Sequence, residues 1–139
     1  MAETGTEAVA AVCAPGGGKC LPCESLDKSH VLSPEQIEAQ LTGMKLWSLK
    51  DGNKISRSFT ARNFQCAMDS LIEIGKLAER ENHHPDMHIT GYRNVEIVLY
   101  THSLGGLTSN DIALAKMIDA EVKVDYSPLW LKNHPDASS

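Results

Sequence analysis

The chain predicts an α+β fold: a four-stranded antiparallel sheet with three helices packed on one face, in the order helix-strand-strand-helix-strand-strand-helix. Apolar residues recur at helical spacing in three separate stretches, and two pairs of strand-like segments flank Asp51-Gly52 and Arg93-Asn94. Gly- and Pro-bearing breakers separate these pieces. The length of 139 residues suits one domain with tails, and 42% hydrophobic residues with a mean hydropathy of -0.24 is a soluble globular composition.

Residues 1–28 read as a flexible leader, broken most clearly at Ala14-Pro15-Gly16-Gly17-Gly18. The compact domain is expected over 29–125 and a C-terminal tail over 126–139. Ser33 offers an N-cap before Pro34 and Glu35, with Ile37 and Leu41 at helical spacing, so a short helix runs to about Gly43. Lys45–Ser48 and Lys54–Thr60 are expected to pair across Lys50-Asp51-Gly52-Asn53, because Asp-Gly accepts the positive φ of a tight hairpin. In the second strand Ile55, Arg57 and Phe59 share one face.

The longest helix is expected from Asn63 to about Asn82, with Phe64, Met68, Leu71, Ile72, Gly75 and Ala78 as its apolar stripe. Pro85 cannot continue it and forces the preceding residue out of the α region. The helix should therefore end near His83, with His84 extended and the two imidazoles diverging. Met87–Tyr92 and Val95–His102 form the second hairpin, with Val95, Ile97, Leu99 and Thr101 opposite Glu96, Val98, Tyr100 and His102. Thr108-Ser109-Asn110-Asp111 reads as a capping box opening a helix to about Val124. That helix is apolar nearly all round, with Lys116, Asp119 and Lys123 as its clear polar stripe, which predicts contact with a second copy.

A formal charge of -5 and a pI near 5.6, with no Lys/Arg cluster, exclude a direct nucleic-acid footprint. No apolar run approaches a membrane span, and no targeting signal is visible, so a cytoplasmic protein is expected. A trimmed targeting segment would make it mitochondrial or plastidic. Cys13, Cys20 and Cys23 cluster in the leader, apart from Cys66, which is not a disulfide framework. The Cys20-Leu21-Pro22-Cys23 spacing lacks a second such pair to complete a zinc site.

The most informative residues are His83-His84-Pro85, with Glu79 ahead and His102 and Asp111 downstream. Histidines supply both an acid and a base near neutrality. Glu79 and His83 are spaced i,i+4, so the carboxylate is expected to orient the ring and favour its protonated form. Asp111 is either a capping residue or part of the site. Zinc ligation by His83, His84, His88 and His102 is the competing reading, and adjacent histidines that diverge make it difficult. His30 and His134 are expected to be exposed.

The combined spacing of Glu79, His83-His84-Pro85, Tyr92, His102 and Asp111 resembles the signature of the pterin-4a-carbinolamine dehydratases. Trp47 and the stretch from Phe59 to Phe64 share the resemblance, which covers about Leu32 to Val124. It implies dehydration of 4a-hydroxytetrahydropterin to quinonoid dihydropterin, recycling the cofactor of aromatic amino acid hydroxylases. It further implies no metal or organic cofactor, a pterin as the small-molecule partner, and a homodimer or homotetramer. His83 and His102 would do the acid/base work, His84 would hold the pterin, and Glu79 would tune His83 or act as an auxiliary base. Asn82, Pro85, Tyr100, Thr101, Ser103 and Asp111 would border the substrate, with the Thr101–Ser103 backbone pairing to its amide edge. Some animal relatives also serve as dimerisation cofactors of a homeodomain transcription factor, so a protein-binding role is one alternative. A pterin-related role in molybdenum-cofactor metabolism is another.

Overall fold

The computed structural model describes residues 30–138. Helix α1 (Pro34–Thr42) is followed by strands β1 (Ser48–Lys50) and β2 (Lys54–Thr60), then helix α2 (Phe64–Glu81). Strands β3 (Asp86–Thr90) and β4 (Asn94–Leu99) precede helices α3 (Ser109–Glu121) and α4 (Pro128–Asn133). The four strands form one antiparallel sheet in the order β1-β2-β4-β3, so the α+β architecture is the one the sequence predicts. The cysteines of the leader lie outside the described residues.

Ile55 and Phe59 of β2 and Val95, Ile97 and Leu99 of β4 face the helices, meeting Ile37, Ile74, Leu77, Leu114 and Ile118 in one core. Each fully buried aliphatic side chain contributes about 1.5 to 3 kcal/mol by removing apolar surface from water. The opposite sheet face is more polar, and there Lys50 reaches over β2 to Glu96 at 2.6 Å.

The first strand starts later than expected. Residues 44–47 are turned instead, because the Met44 and Trp47 amides donate to the Leu41 and Met44 carbonyls. Both side chains enter the core. The hairpin turn itself uses left-handed Asp51 (φ 55) and Gly52 (φ 77).

Burial refines the reading of two helices. On α2, Ala67, Ser70, Ile74, Leu77 and Ala78 are buried, whereas Phe64 and Ile72 of the expected stripe are 52% and 49% exposed. Both sets repeat at helical spacing, and the inward face is the one whose small residues permit close approach. The all-round apolar character of α3 is satisfied within its own chain, since Ile112, Leu114, Ala115, Met117 and Ile118 are all buried.

The segment expected as a tail is folded back onto the sheet. Tyr126 bridges Ala61, the Ser127 amide donates to the Thr60 carbonyl at 2.9 Å, and the Arg62 amide donates to Asp125 at 2.8 Å. These bonds lie on the β2 edge that the three-residue β1 leaves uncovered. A column of rings follows: Phe59 meets Tyr126 edge-on, Tyr126 stacks on Trp130, and Trp130 stacks on His134. Arg57, 3% exposed, donates to Asp119 at 2.8 Å and to the Tyr126 hydroxyl at 2.5 Å. The Trp47 indole donates to the same carboxylate at 3.0 Å. Burial raises the Asp119 carboxyl above its ordinary range, against the lowering effect of Trp47 and Arg57. Among the described residues no helix is long and apolar enough to cross a membrane.

Candidate active site

Asn82 decides where the two adjacent histidines go. It adopts a left-handed conformation (φ 53), and its amide donates back to the Ala78 and Glu79 carbonyls. The His83 amide donates to Ala78 at 3.1 Å, completing a Schellman-type end with asparagine in the position usually taken by glycine. The helix thus stops at Glu81, two residues before the expected end, and the chain reverses. His83 turns inward to 5% exposure while His84 stays outside.

That reversal changes the partners. The i,i+4 relation of Glu79 to His83 does not hold beyond a helix end, and Glu79 instead lies 2.5 Å from His84 Nε2, both side chains exposed. His83 Nε2 lies 2.6 Å from Oδ1 of Asp111. Asp111 is fully buried, and its Oδ2 accepts from the Thr108 amide and the Thr101 hydroxyl, each at 2.9 Å. It closes the capping box of α3 and grips His83 with the same carboxylate. The N-terminus of α3 favours negative charge at this position, and an ionised carboxylate accepts the Nε2 proton, which fixes the ring's orientation.

His102 sits just beyond β4, half-exposed, with its ring stacked on Tyr100 (centroids 4.2 Å apart). Its Nε2 lies 3.8 Å from Asp86 at the start of β3, and the Lys54 ammonium lies 4.9 Å from the Tyr100 ring centroid. The loop after Thr101 is a tight turn: the Thr101 amide donates to Gly106, and its carbonyl accepts from Leu104 and Gly105. The Thr101 backbone is therefore engaged in the loop, the His102 carbonyl also accepts from the Gly105 amide at 3.3 Å, and any pairing by this edge falls to the His102 amide and the exposed Ser103. The side chain of Asn53 in the first hairpin turn holds this loop through the Gly105 carbonyl at 3.1 Å.

The structure thus sets each of the three candidate histidines against its own carboxylate: one pair buried, two exposed to solvent. Thr101 joins the neighbourhoods, since its side chain touches Asp111 and its chain neighbour is His102. Asn82 is exposed and serves as the helix cap, and Pro85 is half-buried beside the pair. Tyr92 lies elsewhere, exposed and left-handed at the opposite end of the β3–β4 hairpin from His102. Asp86, Thr108, Asn53 and Lys54 are not among the site residues expected from the sequence. Asp86 was accessible in principle, because pairing across the hairpin sets it opposite Val98, on the Tyr100 face. Among the described residues no group of three or more His, Cys, Asp or Glu side chains is placed to hold a metal ion.

Comparison with known proteins gives a consistent result. A family model described as pterin 4 alpha carbinolamine dehydratase matches residues 30–121. The chain is 36% identical over 110 residues to pterin-4-alpha-carbinolamine dehydratase 2, mitochondrial, of Arabidopsis thaliana, covering 77% of this chain and 58% of that one. A Rubrobacter xylanophilus sequence, provisionally named as the same dehydratase, is 36% identical over 101 residues, covering 73% of this chain and 92% of its own length. The crystal structure of a transcriptional coactivator/pterin dehydratase from Brucella melitensis superposes with a TM-score of 0.61 at 30% identity, covering 67% of this chain and 99% of that one.

Proposed function

The chain belongs to the pterin-4a-carbinolamine dehydratase family, and from that premise we propose that it dehydrates 4a-hydroxytetrahydropterin to quinonoid dihydropterin, returning the pterin of aromatic amino acid hydroxylases to use. The observation that carries the reading is the buried His83–Asp111 pair beside a strand end that presents His102. The reaction takes a proton from N5, expels the C4a hydroxyl as water after protonating it, and leaves a C4a–N5 double bond. It needs one base and one acid, and a histidine serves as either near neutral pH.

In this reading His83 and His102 exchange the protons. Asp111 orients His83 and favours its imidazolium. The Tyr100–His102 stack offers a flat wall to a bicyclic ring, and His84, held by Glu79, contacts the pterin from the solvent side. Asn82, Pro85 and Ser103 border the substrate. Glu79 therefore orients His84, whereas its sequence position suggested His83.

The test is stopped-flow dehydration of freshly generated carbinolamine. Wild-type protein should accelerate the reaction, and His83→Ala or His102→Ala should slow turnover by about 10² or more while keeping the fold. Dehydration no faster than in buffer, or at wild-type rate in both variants, overturns the reading.

We further propose that copies associate through α2. Phe64 and Ile72 are exposed there with Met68 half-buried between them, forming an apolar stripe on the face turned away from the core.

A further inference from the structure

We propose that the Thr101 hydroxyl is a positioning group for His83, acting through Asp111; the inference rests on the acid/base role given to His83 above. Thr101 occupies a place where an apolar side chain would be expected. It continues the face of β4 formed by Val95, Ile97 and Leu99 and is 2% exposed. A valine there would fill the same space without burying a hydroxyl that must find a partner. The capping box does not require it either, because Thr108 and Asp111 close that motif between themselves. The hydroxyl is thus an additional donor to Asp111, brought from another element.

The protons can be assigned in order. Ionised Asp111 only accepts, so Thr101 gives its single hydroxyl proton to Oδ2 at 2.9 Å. Thr108, 2.9 Å from Thr101, then donates to Thr101 Oγ1, and Thr108 Oγ1 accepts from the Asn110 amide at 3.3 Å. The chain of hydrogen bonds therefore runs in one direction, from Asn110 through Thr108 and Thr101 to Oδ2. His83 Nε2–H meets Oδ1 on the other side of the carboxylate. Asp111 contacts His83 directly. Glu79 pairs with His84, and Asp86 lies near His102. Thr101 thereby restrains the carboxylate plane and takes up part of its charge, and both effects reach the imidazole.

Removing the donor concentrates the Asp111 charge on His83 and holds its imidazolium more strongly. In Thr101→Val the limb of the kcat/KM profile that reports deprotonation of His83 should move to higher pH by about one unit. kcat/KM at neutral pH should fall about tenfold, and Thr101→Ser should restore both. Nuclear magnetic resonance titration of the His83 ring should show the same displacement in the absence of substrate. In wild-type protein the Thr101 hydroxyl proton should be protected from exchange, a measurement that needs no variant to fold. An unmoved pH limb together with an unmoved His83 titration in folded Thr101→Val, or a freely exchanging Thr101 hydroxyl in the wild type, overturns the proposal. If wild-type protein shows no dehydration, the functional reading fails, and the ring titration still decides whether Thr101 acts on His83.

Discussion

Asp111 shows how much one side chain carries in this molecule. Fully buried, it accepts from Thr108, Thr101 and His83, and an asparagine in its place would aim an amide donor at one of these three donors. Asp111→Asn should therefore destabilise the fold by about 2 to 4 kcal/mol, read from urea unfolding. It should also slow dehydration beyond what stability explains, which a purely capping residue would not do. From spacing alone Asp111 could be a cap or a site residue; in the structure the same carboxylate closes the cap and contacts His83. The pairing with His83 was not legible because a local pattern describes neighbours in sequence, whereas this contact joins the end of α2 to the start of α3. Glu79 was misassigned for a related reason: i,i+4 arithmetic is valid inside a helix and fails once Asn82 reverses the chain.

Among the elements, the end of α2 has the most influence on the site. Pro85 announced in the sequence that the helix must stop, and did so correctly, yet the stop is made earlier by Asn82. Glycine adopts that left-handed conformation without strain, and alanine does not. Asn82→Gly should keep stability within a few tenths of a kcal/mol, while Asn82→Ala should lose about 1 kcal/mol, measured by thermal and urea unfolding. The outer face of α2 is a separate matter. Its apolar residues are visible in the sequence as a periodic stripe, but periodicity alone does not say which stripe packs inward, because two stripes of equal period differ only in which packs more closely. Replacing Ile72 with Glu should leave the helical circular dichroism intact and shift the protein to a smaller species by light scattering. An unchanged mass would remove α2 as the contact.

For the whole molecule, the order of helices and strands was legible because turns, caps and periodicity are local signals. The docking of the C-terminal segment was not, since it depends on a free β2 edge and on Arg57, far away in sequence. The Trp47–Asp119–Arg57–Tyr126 network also gives the fold a pH response. A carboxylate raised on folding binds its proton more tightly in the native state. Its contribution to stability is full below the unfolded value and is lost as pH rises through the folded one. Glu121, lowered by Arg80, has the opposite sign and contributes stability that is lost as pH falls. The Trp47 indole N–H resonance should follow Asp119 with a midpoint above the ordinary aspartate range, and Asp119→Asn should abolish that transition. A midpoint at the ordinary value would show that burial does not govern this carboxyl.

The same network orders events when the chain is made. A polypeptide synthesised from its N-terminus presents Trp47 and Arg57 long before Asp119 and Tyr126 exist. Until then the guanidinium that ends up buried has no counter-ion, and the outer edge of β2 has no cover beyond the short β1. Translation of α3 and of the segment after it, rather than completion of either hairpin, is thus the step that gives Arg57 its counter-ion and covers the outer edge of β2.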